Sequence, residues 1–302
     1  MECFEKLERD QCRGVDARET GQGGEKAAIE ASGSTMRERW IDRAVGRLRL
    51  SEVPGSRATL VLWPGLFFDQ RQHEALAALL VARGFGVVHV NPPAYGGSTL
   101  EPGLTMEACG DALLQVVESL ALQEAWVGGT SWGGAAGIFA ALRGDRRIAG
   151  VLAFNTPLAA GAPSGSMRWI PALTQLPPAL FALGAAPVLL GPRRRKALRA
   201  SIAQSMRSAD RRSVKRAAEF VLHERSSLLE RLPELRVPAL VLCGSDDALY
   251  PPASLREAWR LTPSAEVIEI AQTGHSSALE DPPAVADVVE SFLLRQIELR
   301  SR

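Results

Sequence analysis

The chain has 302 residues, 46% of them hydrophobic and 23% charged, a balance that excludes a disordered or fibrous protein and leaves room for one large domain or two small ones. Its 35 basic and 34 acidic residues leave a formal charge of +1, so no global field recruits nucleic acid. Cys3, Cys12, Cys109 and Cys243 are too few and too scattered for a disulfide framework, and none has metal-ligand spacing. Residues 1–35 hold eight acidic residues, five basic residues and five glycines with almost no apolar periodicity, which reads as a disordered tail ending at a second methionine, Met36. The first residues lack the apolar core of a signal peptide, so the expected location is cytoplasmic.

Past that tail, short apolar runs alternate with helix-length segments. Ala58–Trp63, Gly86–Val90, Ala125–Val127, Ala149–Phe154, Ala239–Cys243 and Glu266–Ile270 are continuous runs, which predicts strands buried on both faces. Glu74–Val81 and Met106–Leu122 have helical length. A closing helix is predicted from Pro282, where Val285, Val288, Val289, Phe292, Leu293 and Ile297 share one stripe. Asp281 and Pro282 supply its cap and its first-turn residue. Such alternation predicts an α/β fold, a mainly parallel central sheet flanked by helices on both faces.

One interval breaks the rhythm. Between Asn155 and Ala239 no strand is expected, and a structureless loop of that length does not suit a compact domain. A helical cap or lid over the strand ends is therefore predicted at 159–235, dividing the core into 36–158 and 236–302. Trp169–Pro192 within it is uncharged and long enough for a bilayer, but Pro171, Pro177, Pro178 and Pro187 would break a spanning helix, so no transmembrane span is expected. Arg193–Arg216 follows, with ten basic residues against the single acid Asp210. It reads first as a solvated helix face, with recognition of an anionic substrate or weak contact with an anionic membrane surface as the alternatives.

Open parallel sheets place ligands at the carboxyl ends of their strands, and the residues able to do chemistry fall there. Gly129-Thr130-Ser131-Trp132-Gly133 follows one apolar run and precedes the helix-compatible Ala135–Leu142. Gly-x-Ser-x-Gly at a strand-to-helix turn points a serine hydroxyl outward, and the turn leaves no room for a β-carbon at the glycines; the plainer reading is a small-residue turn for close helix–strand packing. A serine nucleophile needs a base at neutral pH. His73 and His89 precede Ser131 and are excluded by the chain order serine, acid, histidine, while His223 lies in the insertion and reads as structural. His275, in Thr273-Gly274-His275 after a strand, is the candidate base. Asp246 and Asp247 both stand where an acid would orient that ring, the other serving the turn. Trp63-Pro64-Gly65-Leu66-Phe67 follows the first strong run, and its Leu66 amide joins that of Trp132 as the candidate oxyanion-hole pair.

Together these residues resemble the α/β-hydrolase superfamily, in its serine-nucleophile, lid-bearing esterase and carbon–carbon hydrolase branch, over roughly residues 45–300. Gly129–Gly133 is similar to the nucleophile elbow. Gly244-Ser245-Asp246-Asp247-Ala248-Leu249-Tyr250-Pro251 resembles the acid loop, and that resemblance selects Asp247 over Asp246. Gly274-His275 with Glu280-Asp281-Pro282 resembles the histidine loop and closing helix. Two positions depart from the pattern: Pro64 stands where the oxyanion loop usually has histidine, and Asn91 where an aspartate is usual after the fourth strand. Members that are dehalogenases or epoxide hydrolases use an aspartate nucleophile, so Ser131 stands against both activities.

The implied activity is hydrolysis of a carboxylic ester-type bond through Ser131, His275 and Asp247 and an acyl-enzyme, with no metal and no organic cofactor. An acyltransferase or a carbon–carbon bond hydrolase with the same three residues, and a ligand-binding protein without turnover, are the alternatives. The expected partner is a small-molecule acyl substrate with an apolar body and an anionic group.

Overall fold

The computed structural model describes residues 36–161, 165–260 and 262–300; the tail expected at 1–35 lies outside them. All six apolar runs form strands: β3 (Thr59–Trp63), β4 (Gly86–Val90), β5 (Ala125–Thr130), β6 (Ile148–Phe154), β7 (Ala239–Gly244) and β8 (Ala265–Ile270). Two further strands, β1 (Arg37–Arg43) and β2 (Gly46–Val53), precede them and complete an eight-stranded sheet in the order β1-β2-β4-β3-β5-β6-β7-β8. The six later strands are mutually parallel, whereas β2 runs antiparallel to both β1 and β4.

The two early strands lack a continuous apolar run for a physical reason. In β2 the buried Leu48 and Leu50 alternate with Arg47 and Arg49, and β1 is largely exposed and charged, with the sequence RERWIDR. Only strands covered on both faces read as unbroken apolar runs. The charges along β1 also guard an open sheet edge against further pairing.

Helices α1 (Glu74–Ala82), α2 (Met106–Ser119) and α3 (Trp132–Ala141) follow β3, β4 and β5 in turn. Between β6 and β7 lie α4 (Ile170–Leu173), α5 (Pro178–Leu189), α6 (Arg195–Arg207) and α7 (Arg211–Glu219), with no strand among the described residues of that interval. The chain closes with α8 (Pro252–Trp259), α9 (Ser277–Glu280) and α10 (Pro282–Arg300). The pleat of β3 sends Leu60 and Leu62 to one face, where α1 and α10 pack, and Val61 and Trp63 to the other, beneath α2 and α3. On the first face Val285, Val289, Phe292 and Leu293 of α10 are fully buried, each contributing about 1.5–3 kcal/mol by burial. Trp126 meets Phe292 edge-on at 5.5 Å.

The uncharged stretch Trp169–Pro192 is divided at Pro177 and Pro178, which separate α4 from α5, whereas Pro171 is accommodated in the first turn of α4 and Pro187 lies inside α5 without ending it. No helix among the described residues is long and apolar enough to cross a membrane.

His73, at the start of α1, is fully buried with its Nε2 2.8 Å from Thr130 Oγ1. Burial, aided by the nearby His89, pushes its pKa down to about 3 from an ordinary value of 6.5. Between those values the unfolded chain binds the proton that the folded chain refuses. Stability is therefore full above the unfolded value and is lost as pH falls below it, by about 2 kcal/mol at pH 5. Thermal melts at pH 7 and pH 5 check this: the wild-type midpoint falls on acidification by clearly more than that of His73→Gln.

Candidate active site

Strand β5 ends at Thr130 and α3 begins at Trp132, so Ser131 alone makes the turn. Its backbone sits at φ 54° and ψ −108°, a strained conformation for a residue with a side chain. The turn is held by the Ser131 amide, which donates to Phe154 O at 2.7 Å. At Gly129, with φ +134°, an added β-carbon would lie 2.2 Å from Trp63 O; at Gly133 it would lie 1.7 Å away from the same oxygen. The elbow and the close-packing readings of this motif thus describe one constraint, because both glycines press against the end of β3.

The loop after β8 brings His275 over that turn. His275 Nε2 lies 3.0 Å from Ser131 Oγ, and Nδ1 lies 2.9 Å from Asp247 Oδ2, with all three side chains buried. Asp247 is further fixed by the amides of Leu249 and Tyr250, which donate to Oδ1 at 2.9 and 3.1 Å. Burial pushes the Asp247 carboxyl up, but His275 and the donors of Asn155 and Tyr250 outweigh it and hold the pKa below its ordinary value. An ionised carboxylate on Nδ1 leaves Nε2 free to accept a proton from the serine.

Asp246 has a different place. It is exposed, and among the described residues its carboxylate accepts only from Ser245 Oγ, at 3.3 Å. His89 is buried within β4, and His223 is exposed after α7. Asn91 Oδ1 accepts from the Gln70 amide at 3.0 Å, and its Nδ2 donates to Gln70 Oε1, so it braces two loops.

Three supporting residues were given no role from the sequence, although Glu280 stands in the stretch that resembles the histidine loop and closing helix. Asn155, at the end of β6, donates to Asp247 Oδ2 and to Gly274 O, both at 3.0 Å, and accepts from Ser277 Oγ at 2.6 Å. Gln72 accepts from the Gly65 amide at 2.7 Å and donates to Ser276 Oγ at 3.3 Å, joining the loop after β3 to the histidine loop. Glu280 accepts from the amides of Gly274 and Gly191, at 2.9 and 2.8 Å, and so ties the segment after α5 to the histidine loop. Burial pushes the Glu280 carboxyl up against those donors. A polar residue directly after an apolar run was the one available signal for Asn155; Gln72 carries no local signature, and Glu280 is marked only by its place in the Glu280-Asp281-Pro282 stretch.

Ser131 and His275 open into a cavity of about 160 Å³. Its walls are chiefly apolar, from Leu66 and Phe67 after β3, Leu173 of α4, Phe181 and Val188 of α5, and Leu222 after α7. The Gly65 amide is occupied by Gln72, whereas the Leu66 amide beside it has no hydrogen-bond partner among the described residues. The Trp132 amide, first in α3, likewise has no intrahelical acceptor. None of the basic residues from Arg193 to Arg216 lines this cavity. Several are engaged elsewhere: Arg216 pairs with Glu224, Lys215 with Glu219, and Arg195 with backbone carbonyls of Pro187 and Leu190.

Comparison with known proteins agrees with this architecture. Over 72 residues the chain is 35% identical to a pimeloyl-(acyl-carrier protein) methyl ester esterase of Xanthomonas oryzae pv. oryzae, covering 24% of this chain and 28% of that protein. The chain therefore spans little more than a quarter of the relative's length. Among solved structures it superposes on a thermophilic esterase from Thermogutta terrifontis with a TM-score of 0.76 and 24% identity, over 86% of this chain and 99% of that one. It also superposes on the enol-lactonase from Burkholderia xenovorans LB400 with a TM-score of 0.74 and 24% identity, over 85% and 100%. The sequence model of the alpha/beta hydrolase family matches residues 60–288, from β3 into α10. With most of the chain matched, this protein belongs to the alpha/beta hydrolase family.

Proposed function

We propose that the protein hydrolyses carboxylic esters of small molecules through an acyl-enzyme on Ser131. The observation that carries this reading is the continuous chain Asp247–His275–Ser131, at 2.9 and 3.0 Å, at the wall of an apolar cavity. Ser131 Oγ attacks the ester carbonyl while His275 Nε2 takes its proton, and the same nitrogen then protonates the departing alcohol. Water repeats the sequence in reverse: His275 accepts its proton, the hydroxide adds to the acyl carbon, and Ser131 leaves with the proton restored. The Leu66 and Trp132 amides hold the negative oxygen of each tetrahedral species, a contribution of about 3–4 kcal/mol per donor. The esterase and lactonase names of the similar proteins support an ester-type substrate. Helices α4–α7 serve as the cap that keeps bulk water from the acyl-enzyme.

A cavity of about 160 Å³ accommodates roughly ten non-hydrogen atoms. The fitting acyl groups are therefore of medium length. With p-nitrophenyl esters of rising chain length, kcat/KM should peak at hexanoate to octanoate and fall at palmitate. A flat series would remove the cavity from the account, and no turnover of any ester would remove the ester reading itself.

A further inference from the structure

One side chain of the cavity wall is out of keeping with the rest. Arg225, between α7 and β7, is only 4% exposed, yet it lines the same apolar cavity as Ser131. Among the described residues no carboxylate is paired with it. Its three hydrogen-bond partners are neutral: Nε donates to Ala159 O at 3.0 Å, Nη1 to Val221 O at 2.7 Å, and Nη2 to Tyr250 Oη at 3.0 Å. A guanidinium has five N–H groups, so two have no partner among the described residues. Apart from Arg225, the ionisable residues on that wall are, among the described residues, His275 and Tyr250 alone. Burying an unpaired cation in an apolar cavity is unfavourable, and an arrangement of this kind is relieved when an anion enters.

Tyr250 links this cation to the reacting centre. Its ring lies 5.5 Å from that of His275, and its oxygen already accepts from Arg225, so its own proton is left to donate into the cavity. A carboxylate there would receive N–H donors from Arg225 and an O–H donor from Tyr250, all strengthened by the low polarity around them.

We propose that Arg225 and Tyr250 form an anion-binding subsite of the cavity, and that the substrate is an ester bearing a carboxylate or similar anionic group one ring away from His275. The substrate class rests on the ester reading above, whereas the anion subsite itself does not. The nearby run Arg193–Arg216 has the greater charge but lies outside the cavity, so the single buried arginine is the residue that discriminates.

The test compares two ligands of one shape and different charge. Ser131→Ala protein, which cannot turn over either, is titrated calorimetrically with monomethyl adipate and with dimethyl adipate. The monoanion should bind at least tenfold more tightly, and the preference should vanish in Ser131→Ala/Arg225→Gln and return in part in Ser131→Ala/Arg225→Lys. Equal binding of the two ligands, or a preference unmoved by Arg225→Gln in folded protein, overturns the proposal. In chains that keep Ser131, the ratio of kcat/KM for the mono- and dimethyl esters should fall at least tenfold with Arg225→Gln, through KM. An arginine that only braces the fold would lower both rates together and leave that ratio unchanged. Preferential binding of the monoanion without turnover of either ester would retain the subsite and reject the ester hydrolase.

Discussion

Replacing Ser131 by alanine is expected to lower kcat for p-nitrophenyl hexanoate on the order of a million-fold while leaving the melting temperature near that of wild type. The size of the effect follows from the geometry. The hydroxyl is the one group that the elbow presents to the cavity with a base at 3.0 Å, and among the described residues no other hydroxyl is hydrogen-bonded to His275 Nε2. The second expectation about the same turn is structural: alanine keeps the β-carbon that residue 131 already carries, so the strained backbone is not altered. A residual rate within tenfold of wild type would mean that Ser131 is not the nucleophile.

The next largest effect is expected at Asp247. Substitution by asparagine keeps the shape and most of the hydrogen bonds from Leu249, Tyr250 and Asn155, but it presents no carboxylate to His275 Nδ1. The ring then loses the partner that fixes its tautomer and stabilises its charged form. A fall in kcat of about 10⁴ is expected. Asp246→Asn, one residue away, should change kcat by less than twofold, because that carboxylate is exposed and, among the described residues, hydrogen-bonds only to Ser245. Paired steady-state measurements on the two variants decide the matter, and the opposite ranking would assign the acid to residue 246.

Most of the architecture was legible in the chain because its inner strands are covered on both faces. Leu60–Trp63, Val87–Val90 and Leu240–Cys243 have no exposed side to interrupt the apolar run. The hairpin β1–β2 was not legible for the converse reason: it lies at an edge, alternates, and is heavily charged. The side chains at the reacting centre followed a similar rule. Ser131 is framed by glycines that a tight turn demands, His275 and the Asp246–Asp247 pair follow apolar runs, and it was the resemblance to the hydrolase acid loop that selected Asp247. Asn155 and Gln72 have no such frame, and Glu280 is marked only by its place before Asp281 and Pro282. Gln72 acts on Ser276 across 204 positions of sequence and Glu280 on Gly191 across 89, and contacts of that range arise only when the sheet has assembled its loops. The charge run Arg193–Arg216 illustrates the opposite hazard. Ten basic residues attract notice in a sequence, yet most lie on exposed faces of α6 and α7, whereas the arginine that enters the cavity, Arg225, stands alone.

The most direct test of an acyl-enzyme on Ser131 is to trap its stable analogue. Diethyl p-nitrophenyl phosphate reacts with an activated serine to leave a diethyl phosphoryl group on the oxygen and release p-nitrophenolate. Intact-protein mass spectrometry followed by peptide mapping should find one such group per chain, on the peptide containing Ser131, and none in Ser131→Ala. An unmodified wild-type chain, or a label on any other residue, would contradict the assignment of Ser131 as the nucleophile.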